Sequence, residues 1–202
     1  ALWLPEFAFT QSIEWEKTFY LNDDKAQLND LVKLEDNTVL AVGFGTDTVF
    51  NRPIPTLMKL DSNGNQSWVK RTTYDTTIYG ITWFIKKYPG TPEYFILGID
   101  KKIKSSALTY EQVLAKIDTA GDTLWSIQIP YLFGSTVEDA LVLKDKSVVV
   151  IGNPITPSSY DIMARRIDSL GNLMWERTYN LPGSQTANDI VEMLDGSLVI
   201  AG

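Results

Sequence analysis

Histidine and cysteine are both absent from the 202 residues, and their absence removes several chemistries at once. Without an imidazole, the chain cannot build a Ser-His-Asp triad or use a histidine general base. Without a thiol, it has no cysteine nucleophile, no disulfide and no Cys/His zinc site. The groups that remain for acid–base chemistry are chiefly the carboxylates of the 25 Asp and Glu residues.

One adjacent pair of carboxylates, Glu138 and Asp139, invites comparison with the two acids of a glycoside hydrolase. Asp139, however, falls on a position that recurs as Asp30 and Asp189 in aligned segments of the chain. A catalytic residue in a repeat protein should interrupt the repeat rather than follow it. We therefore interpret Asp139 as a structural residue, and no catalytic residue is predicted.

Two further sequences resemble ligand-binding loops only in part. Residues 61–65 begin like a calcium loop, but the later acidic ligand is missing and Leu170 replaces Asn63 in another copy. Residues 43–46 are glycine-rich but lack the lysine and the helix of a phosphate-binding loop. We therefore predict neither a metal site nor a cofactor.

A ten-residue pattern, [KR]-[LI]-D-[ST]-x-G-[ND]-x-x-W, occurs at 59–68, 116–125 and 166–175. Internal repetition of this kind is typical of arrays of small structural units. A fourth tryptophan in the same phase lies in IEWEKTF, which matches MWERTY at 174–179. The tryptophans that mark the repeat are 50 to 57 residues apart and are Trp15, Trp68, Trp125 and Trp175.

Each unit also contains two apolar runs separated by a turn sequence. The blocks at 30–43, 139–152 and 189–202 align without a gap, and a diverged version occupies 80–98. Asn, Asp and Gly between the runs tolerate left-handed backbone, so the two runs are predicted to form a hairpin. Consecutive apolar residues, as in 148–151, indicate a strand that is buried on both faces.

A third strand precedes each Asp-x-x-Gly sequence, and the repeated tryptophan lies on a fourth strand after it. Asp first and Gly last is the preference of a type I turn. Residues 109–116 could form a helical turn in isolation, but their register in the repeat predicts a strand. Four strands in about 50 residues predict an all-β fold of the β-propeller kind. The predicted turn residues are Asp61 and Gly64, Asp118 and Gly121, and Asp168 and Gly171.

The Asp-x-x-Gly-x-x-x-Trp pattern resembles the blades of secreted bacterial propellers, both delta-60-like repeats and quinoprotein-type tryptophan-docking repeats. The segment KIDTAGDTLW at 116–125 is most similar to the second kind. The resemblance implies that the Trp of each blade packs against the neighbouring blade and that the Asp-to-Gly turn positions it. It extends over 13–202 and specifies a fold far better than a function.

We expect about four blades of a complete or partial propeller. The predicted units are 13–66, 67–123, 124–173 and an incomplete 174–202. An incomplete unit would leave an apolar edge strand, so we expect a fragment of a larger protein. In the alternative, a closed four-bladed ring, residues 1–12 supply the missing strands. Otherwise residues 1–12 are interpreted as the remnant of a secretory signal peptide.

Residues that depart from the repeat are candidates for ligand binding, because loops on a rigid scaffold commonly bind ligands. The variable loops 44–55, 99–108 and 153–161 are predicted to lie at one end of the blades. Aromatic outliers occur between 79 and 94. The candidate ligand-binding residues are Arg52, Trp83, Lys101, Lys102 and Tyr160.

Composition restricts the partners. A net charge of −7 and a pI near 4.6 argue against nucleic acid and anionic membranes. No apolar run reaches the roughly 18 residues of a membrane-spanning helix. With these limits, the resemblance to secreted propellers implies an extracytoplasmic, non-enzymatic binding or scaffold module with a protein or glycan ligand. The alternative is a propeller enzyme of quinoprotein or glycosidase type, with part of its active site in further blades.

Overall fold

The computed structural model describes most of the chain, and every regular element in the described part is a β-strand. Trp15, Tyr160 and residues 1–12 lie outside the described residues, as do the side chains of Arg52, Lys101 and Lys102. The described residues are 19, 26–47, 52–71, 78–91, 94–104, 107–129, 136–154, 161–180 and 182–202.

Fourteen strands form four antiparallel sheets in this part of the chain, and each strand of a sheet pairs with the strand that precedes it in sequence. The all-β prediction and the four-stranded sheets are confirmed. Sheet 1 contains β1 (Gln27–Lys33), β2 (Val39–Asp47), β3 (Arg52–Leu60) and β4 (Gln66–Arg71). Sheet 2 contains β5 (Ile78–Lys87), β6 (Tyr94–Lys104), β7 (Ala107–Ile117) and β8 (Thr123–Ile129). Sheet 3 contains β9 (Thr136–Val142), β10 (Val148–Asn153), β11 (Ile162–Ile167) and β12 (Leu173–Tyr179), and sheet 4 contains β13 (Asp189–Glu192) and β14 (Leu198–Ala201).

The sheets are offset by one strand from the units predicted from sequence. The predicted boundaries after 66, 123 and 173 fall inside β4, β8 and β12. The reason is that the Asp-x-x-Gly turn closes a hairpin, so the tryptophan strand pairs with the strand before it. Each repeated tryptophan therefore lies on the last strand of a sheet and not on the first strand of the next.

Parts of two predicted loops are paired strands. Residues 44–47 pair with 52–55 in the β2–β3 hairpin, and 99–104 pair with 107–112 in the β6–β7 hairpin. Pro53 and Pro55 suggested a loop, yet they lie in β3 beyond the last residue that pairs with β4. Their outer side is therefore an edge, where the missing N–H of proline breaks no ladder bond.

A hydrophobic core lies between each pair of consecutive sheets. Leu40, Val42 and Leu57 of sheet 1 pack with Ile85 and Ile117 of sheet 2. A second core joins sheets 2 and 3, and a third joins sheets 3 and 4. The interior is therefore a series of layers of side chains between successive sheets.

Strand β10 explains why the apolar runs are continuous. All six of its residues are buried. Val148 and Val150 belong to the core shared with sheet 2, whereas Val149 and Ile151 belong to the core shared with sheet 4. Successive side chains of a strand point to opposite faces, so a strand between two cores is apolar at every position.

Candidate binding surface

The first strands of consecutive sheets contact one another: β1 contacts β5, β5 contacts β9, and β9 contacts β13. In β1, β5 and β9 one extra residue forms a β-bulge. Bulges re-aim side chains and are common beside functional sites. The three bulge residues are Asn29, Trp83 and Glu138.

Glycine at the end of the second strand accommodates the bulge. Gly43, Gly98 and Gly152 lie opposite the bulged segments. A Cβ atom on Gly43 would lie 1.9 Å from the carbonyl oxygen of Gln27, so a side chain there would collide with the bulged strand. The collision explains why glycine recurs at the end of each of these repeated blocks.

Trp83 is the ligand-binding candidate whose side chain the structure describes. It occupies the bulge of sheet 2, where sheets 1 and 3 have Asn29 and Glu138, and it is 40% exposed. The preceding residue is held in place, because the amide of Asn29 donates a 2.8 Å hydrogen bond to the carbonyl of Thr82. A half-exposed indole on a fixed backbone suits contact with an apolar or aromatic ligand surface.

Asp30 and Asp139, which directly follow bulge residues, join neighbouring sheets. Asp30 Oδ2 accepts a 3.1 Å hydrogen bond from the backbone N–H of Ile85, and Asp139 forms a 2.9 Å ion pair with Lys86. Glu138 accepts a 3.0 Å hydrogen bond from Asn153 Nδ2. These bonds give Glu138 and Asp139 structural partners, which agrees with the interpretation of Asp139 as structural.

Lys101 and Lys102 lie on the part of sheet 2 that extends furthest beyond the repeat. Strand β6 continues six residues past Gly98, to Lys104, whereas β2 continues four residues past the equivalent Gly43 and β10 one residue past Gly152. At about 3.3 Å per residue, sheet 2 therefore extends about 7 Å further than sheet 1 and about 17 Å further than sheet 3. Strand β5 pairs with β6 as far as Lys102. The part of the β6–β7 extension up to Lys102 is therefore three-stranded.

The repeated tryptophans Trp68 and Trp125 each lie over a turn of the following sheet. A Cβ atom on Gly121 would lie 2.8 Å from Trp68 Cη2, and one on Gly171 would lie 3.5 Å from Trp125 Cε3. The indole N–H of Trp125 also donates a 3.2 Å hydrogen bond to the carbonyl of Ser169. Trp175 packs against the core shared by sheets 3 and 4. The turn that receives a tryptophan therefore belongs to the next sheet and is not the turn that precedes that tryptophan in sequence.

The Asp of each turn binds the turn itself. Asp168 Oδ1 accepts hydrogen bonds from the backbone N–H groups of Leu170 and Asn172, and Oδ2 accepts one from the Asn172 side chain. These bonds, led by the one from the Asn172 side chain, lower the pKa of Asp168 below its usual value. Asp61 and Asp118 accept equivalent backbone bonds. Gly64, Gly121 and Gly171 have positive φ and donate their N–H to the carbonyl of the turn Asp.

A cleft of about 370 Å³ lies between sheets 1 and 2 beside the first hairpin turns. Lys87 and Glu35 form a 3.2 Å ion pair across it, and Lys59 lies 3.8 Å from Asp36. Burial, together with the charges of Glu35 and Asp36, raises the pKa of Tyr94. Because its charges are paired with one another, the cleft offers no obvious charged group to a ligand.

Sequence reasoning missed the bulges and a second cleft, between sheets 2 and 3. The bulge residues share no residue type, so no composition signal marks them. The second cleft is lined by the cross-strand pair Arg165 and Glu176. A comparison of facing positions between units would have found this pair, because sheets 1 and 2 carry uncharged residues there.

No known protein family and no curated protein matches the chain. Among solved structures, the acylaminoacyl peptidase of Pyrococcus horikoshii aligns at 11% identity with a TM-score of 0.33. The alignment covers 79% of this chain and 33% of the peptidase, so the chain spans about a third of that protein's length. At this TM-score the likeness supports no conclusion about fold or activity. Within the described residues, no helix has the length and apolar character needed to cross a membrane.

Proposed function

We propose that the sheets are successive blades of a β-propeller. Three features support this arrangement: sequential four-stranded sheets, a core between each consecutive pair, and contact between the first strands of neighbouring sheets. Blades that radiate from a common axis have their first strands close together in this way. The tryptophan-to-turn contacts then repeat once per blade.

The array continues beyond sheet 4 in this proposal, as part of a larger secreted or cell-surface protein. Met193 and Val199 of sheet 4 are each 46% exposed. The equivalent residues of sheet 1, Leu34 and Leu40, are 6% and 0% exposed because sheet 2 covers them. A further blade would cover sheet 4 in the same manner. The extracytoplasmic location is supported by the resemblance of the repeat to secreted propellers, and fractionation of the native protein would test it.

The proposed role is non-enzymatic binding of a protein or glycan through sheet 2. The observation that carries this proposal is the β6–β7 extension, which departs from the repeat while the core around it follows the repeat. The extension contains three lysines, at 101, 102 and 104, in a chain with a net charge of −7. An acidic ligand surface would complement it.

Binding to a glycan array that includes polygalacturonate tests this role. In a shortened variant, residues 101–110 are replaced by Asn-Gly, which closes the hairpin on the Asp100–Glu111 pair. Glycan binding is expected for the wild type and is expected to be lost in the shortened variant. Lys101→Ser/Lys102→Ser keeps the hairpin length and separates the effect of charge from that of shape. Equal binding by the wild type and the shortened variant would refute the role of the extension.

The second candidate is a propeller enzyme whose active site lies partly in further blades. The partners of Glu138 and Asp139 speak against a glycosidase centred on these two acids. Release of reducing sugar from the bound glycans, or quinone-dependent dye reduction, would favour the enzyme and contradict the binding module.

A further inference from the structure

The cleft between sheets 2 and 3, called the outer cleft below, has a volume of about 420 Å³. This volume is within the range of small-ligand sites. Its walls combine aliphatic side chains with an ion pair and one amide. The residues that line it include Ile127 and Gln128 of β8, Arg165 and Ile167 of β11, and Leu173 and Glu176 of β12.

The ion pair in the outer cleft interrupts the repeat. Arg165 is 5% exposed, and its Nε donates a 2.5 Å hydrogen bond to Glu176 Oε2. These residues face each other across β11 and β12. The facing residues at the same place in sheets 1 and 2 are Met58 with Val69 and Ala115 with Ser126. A buried ion pair carries a desolvation penalty, and two sheets form without one here. The stacking of consecutive sheets therefore does not require an ion pair at this place.

The space of the outer cleft also has a clear origin. Between sheets 1 and 2, Lys70 crosses the equivalent place and forms a 2.6 Å ion pair with Asp122. Its Cδ would lie 3.3 Å from a Cβ on Gly121, so the lysine chain occupies the groove. Ile127 stands at the position of Lys70, two residues after the repeated tryptophan. Ile127 also contacts the receiving turn, since its Cγ2 would lie 3.0 Å from a Cβ on Gly171. Its side chain ends there and has no ammonium group to reach across the groove as Lys70 does, so a cleft stays open beyond it.

We propose that the outer cleft binds an aliphatic side chain of a partner polypeptide that is followed by a basic residue. Ile127 and the 60% exposed Leu173 provide apolar surface for the aliphatic group, and the buried core residue Ile167 lies at the base of the cleft. Arg165 Nε binds Glu176 Oε2, and the Glu176 side chain is still 36% exposed, so its carboxylate remains accessible to an incoming cation. The chain's net charge of −7 attracts a cationic segment. A sugar would leave several hydroxyl groups unpaired against three aliphatic walls.

This inference rests on the proposed binding role and adds a second contact site on the outer side of the sheets. It requires Glu176 to act as an acceptor for the ligand, with Arg165 as the positioning residue. It also requires that the pair be dispensable for folding, which separates it from a purely structural salt bridge.

The probe is N-acetyl-Leu-Lys-amide, titrated against the full chain with ¹³C-labelled methyl groups and followed by NMR. Saturable shifts of the Ile127, Ile167 and Leu173 methyl signals are expected, with a Kd on the order of 1 mM for a contact of this size. N-acetyl-Leu-Glu-amide is expected to bind about two- to fivefold more weakly, the usual effect of one exposed charge pair. No saturable shift with the Lys probe, or equal binding of the two probes, overturns the proposal.

Three variants keep the test decisive. Glu176→Gln should remove the preference for the Lys probe, and Ile127→Lys should fill the cleft and abolish binding of both probes. The double variant Arg165→Met/Glu176→Val introduces the residues of sheet 1 and should melt no lower than the wild type while losing the Lys preference. A lower melting temperature would show that the ion pair is structural and would overturn the proposal.

The result is separable from the glycan experiment. The shortened β6–β7 variant should bind the Lys probe as the wild type does, because the extension is not part of the outer cleft. Conversely, Ile127→Lys should leave glycan binding unchanged. Loss of probe binding in the shortened variant would contradict an independent second site.

Discussion

The interface between sheets 1 and 2 and the interface between sheets 2 and 3 use the same contact and surround it differently. In both, an indole of one sheet lies over a glycine of the next. Around the first contact, Lys70 fills the groove and pairs with Asp122. Around the second, Ile127 leaves the groove open, and Arg165 pairs with Glu176. The comparison teaches that the repeat determines how the sheets stack, while the neighbouring positions are free to vary.

The largest effects are expected from removing the shared contact. Trp68→Ala and Trp125→Ala should each lower the free energy of unfolding by about 3–5 kcal/mol, the usual range for aromatic truncation in a core. Trp125→Ala should lower the free energy of unfolding by about 1 kcal/mol more than Trp68→Ala, because it also removes the hydrogen bond to Ser169. Urea unfolding measures both, and the loss in Trp125→Phe beyond that in Trp68→Phe isolates the hydrogen bond to Ser169. An unchanged melting temperature in either alanine variant would contradict the docking of the indoles.

The next largest effects are expected from substituting the receiving glycines, and they should differ between the two interfaces. Gly121→Ala should lower the free energy of unfolding by about 2–4 kcal/mol, since a positive φ acts together with 2.8 Å approaches to both Leu57 Cδ2 and Trp68 Cη2. Gly171→Ala meets its nearest neighbour at 3.0 Å and should lose about 1–2 kcal/mol. Gly90→Ala is the matched control, because its φ is 69° and no atom lies within 4 Å of the added Cβ. If Gly121→Ala and Gly90→Ala lowered the free energy of unfolding equally in urea, close packing of Leu57 and Trp68 on Gly121 would be unimportant.

A smaller change should convert the first interface into the second. Lys70→Ile removes the ion pair with Asp122 and should open a groove like the outer cleft. Because that pair is largely exposed, the free energy of unfolding should fall by no more than about 1 kcal/mol. Asp122→Asn removes the same ion pair and keeps the lysine chain, so it tests the charge alone. If Lys70→Ile lowered the free energy of unfolding by more than about 2 kcal/mol, packing of the lysine side chain in the groove would be important for stability.

The smallest effect concerns a hairpin turn of sheet 3. The hydroxyl and backbone N–H of Ser147 lower the pKa of Asp145 below its usual value. A carboxyl with a lowered pKa in the folded state stabilises the protein above the unfolded pKa and loses that contribution as the pH falls through the folded pKa. Ser147→Ala should raise the pKa of Asp145 and flatten the loss of stability below about pH 4. Carboxyl NMR titration measures the shift, and Ser197→Ala, which should leave Asp145 unchanged, is the control.

Much of the fold was predictable because its signals are local. The Asp-x-x-Gly turns, the hairpins and the doubly buried strand β10 each follow from residues within a few positions of one another. The register of 109–116 correctly predicted strand β7 against its helical appearance. The grouping of strands into sheets was offset by one, because the repeat marks a period and leaves the start of each unit open.

The candidate site was less predictable because it depends on contacts between distant residues. Trp83 was selected only as an aromatic outlier, and nothing in its neighbours indicates the bulge that holds it. The outer cleft depends on the difference between Lys70 and Ile127, which are far apart in sequence. The length of β6 and β7 was hidden because Asp100–Lys104 is polar and was interpreted as a loop.

The contact between one sheet's tryptophan and the next sheet's turn has a consequence for how repeats can be gained or lost by gene duplication. Each 50- to 57-residue segment contributes one indole and one receiving glycine, in a constant order. Duplication of a segment by unequal recombination therefore adds one complete contact. It leaves no tryptophan without a receiving glycine, wherever within the repeat the crossover occurs. An array built this way can lengthen or shorten by whole repeats without redesign of any existing interface.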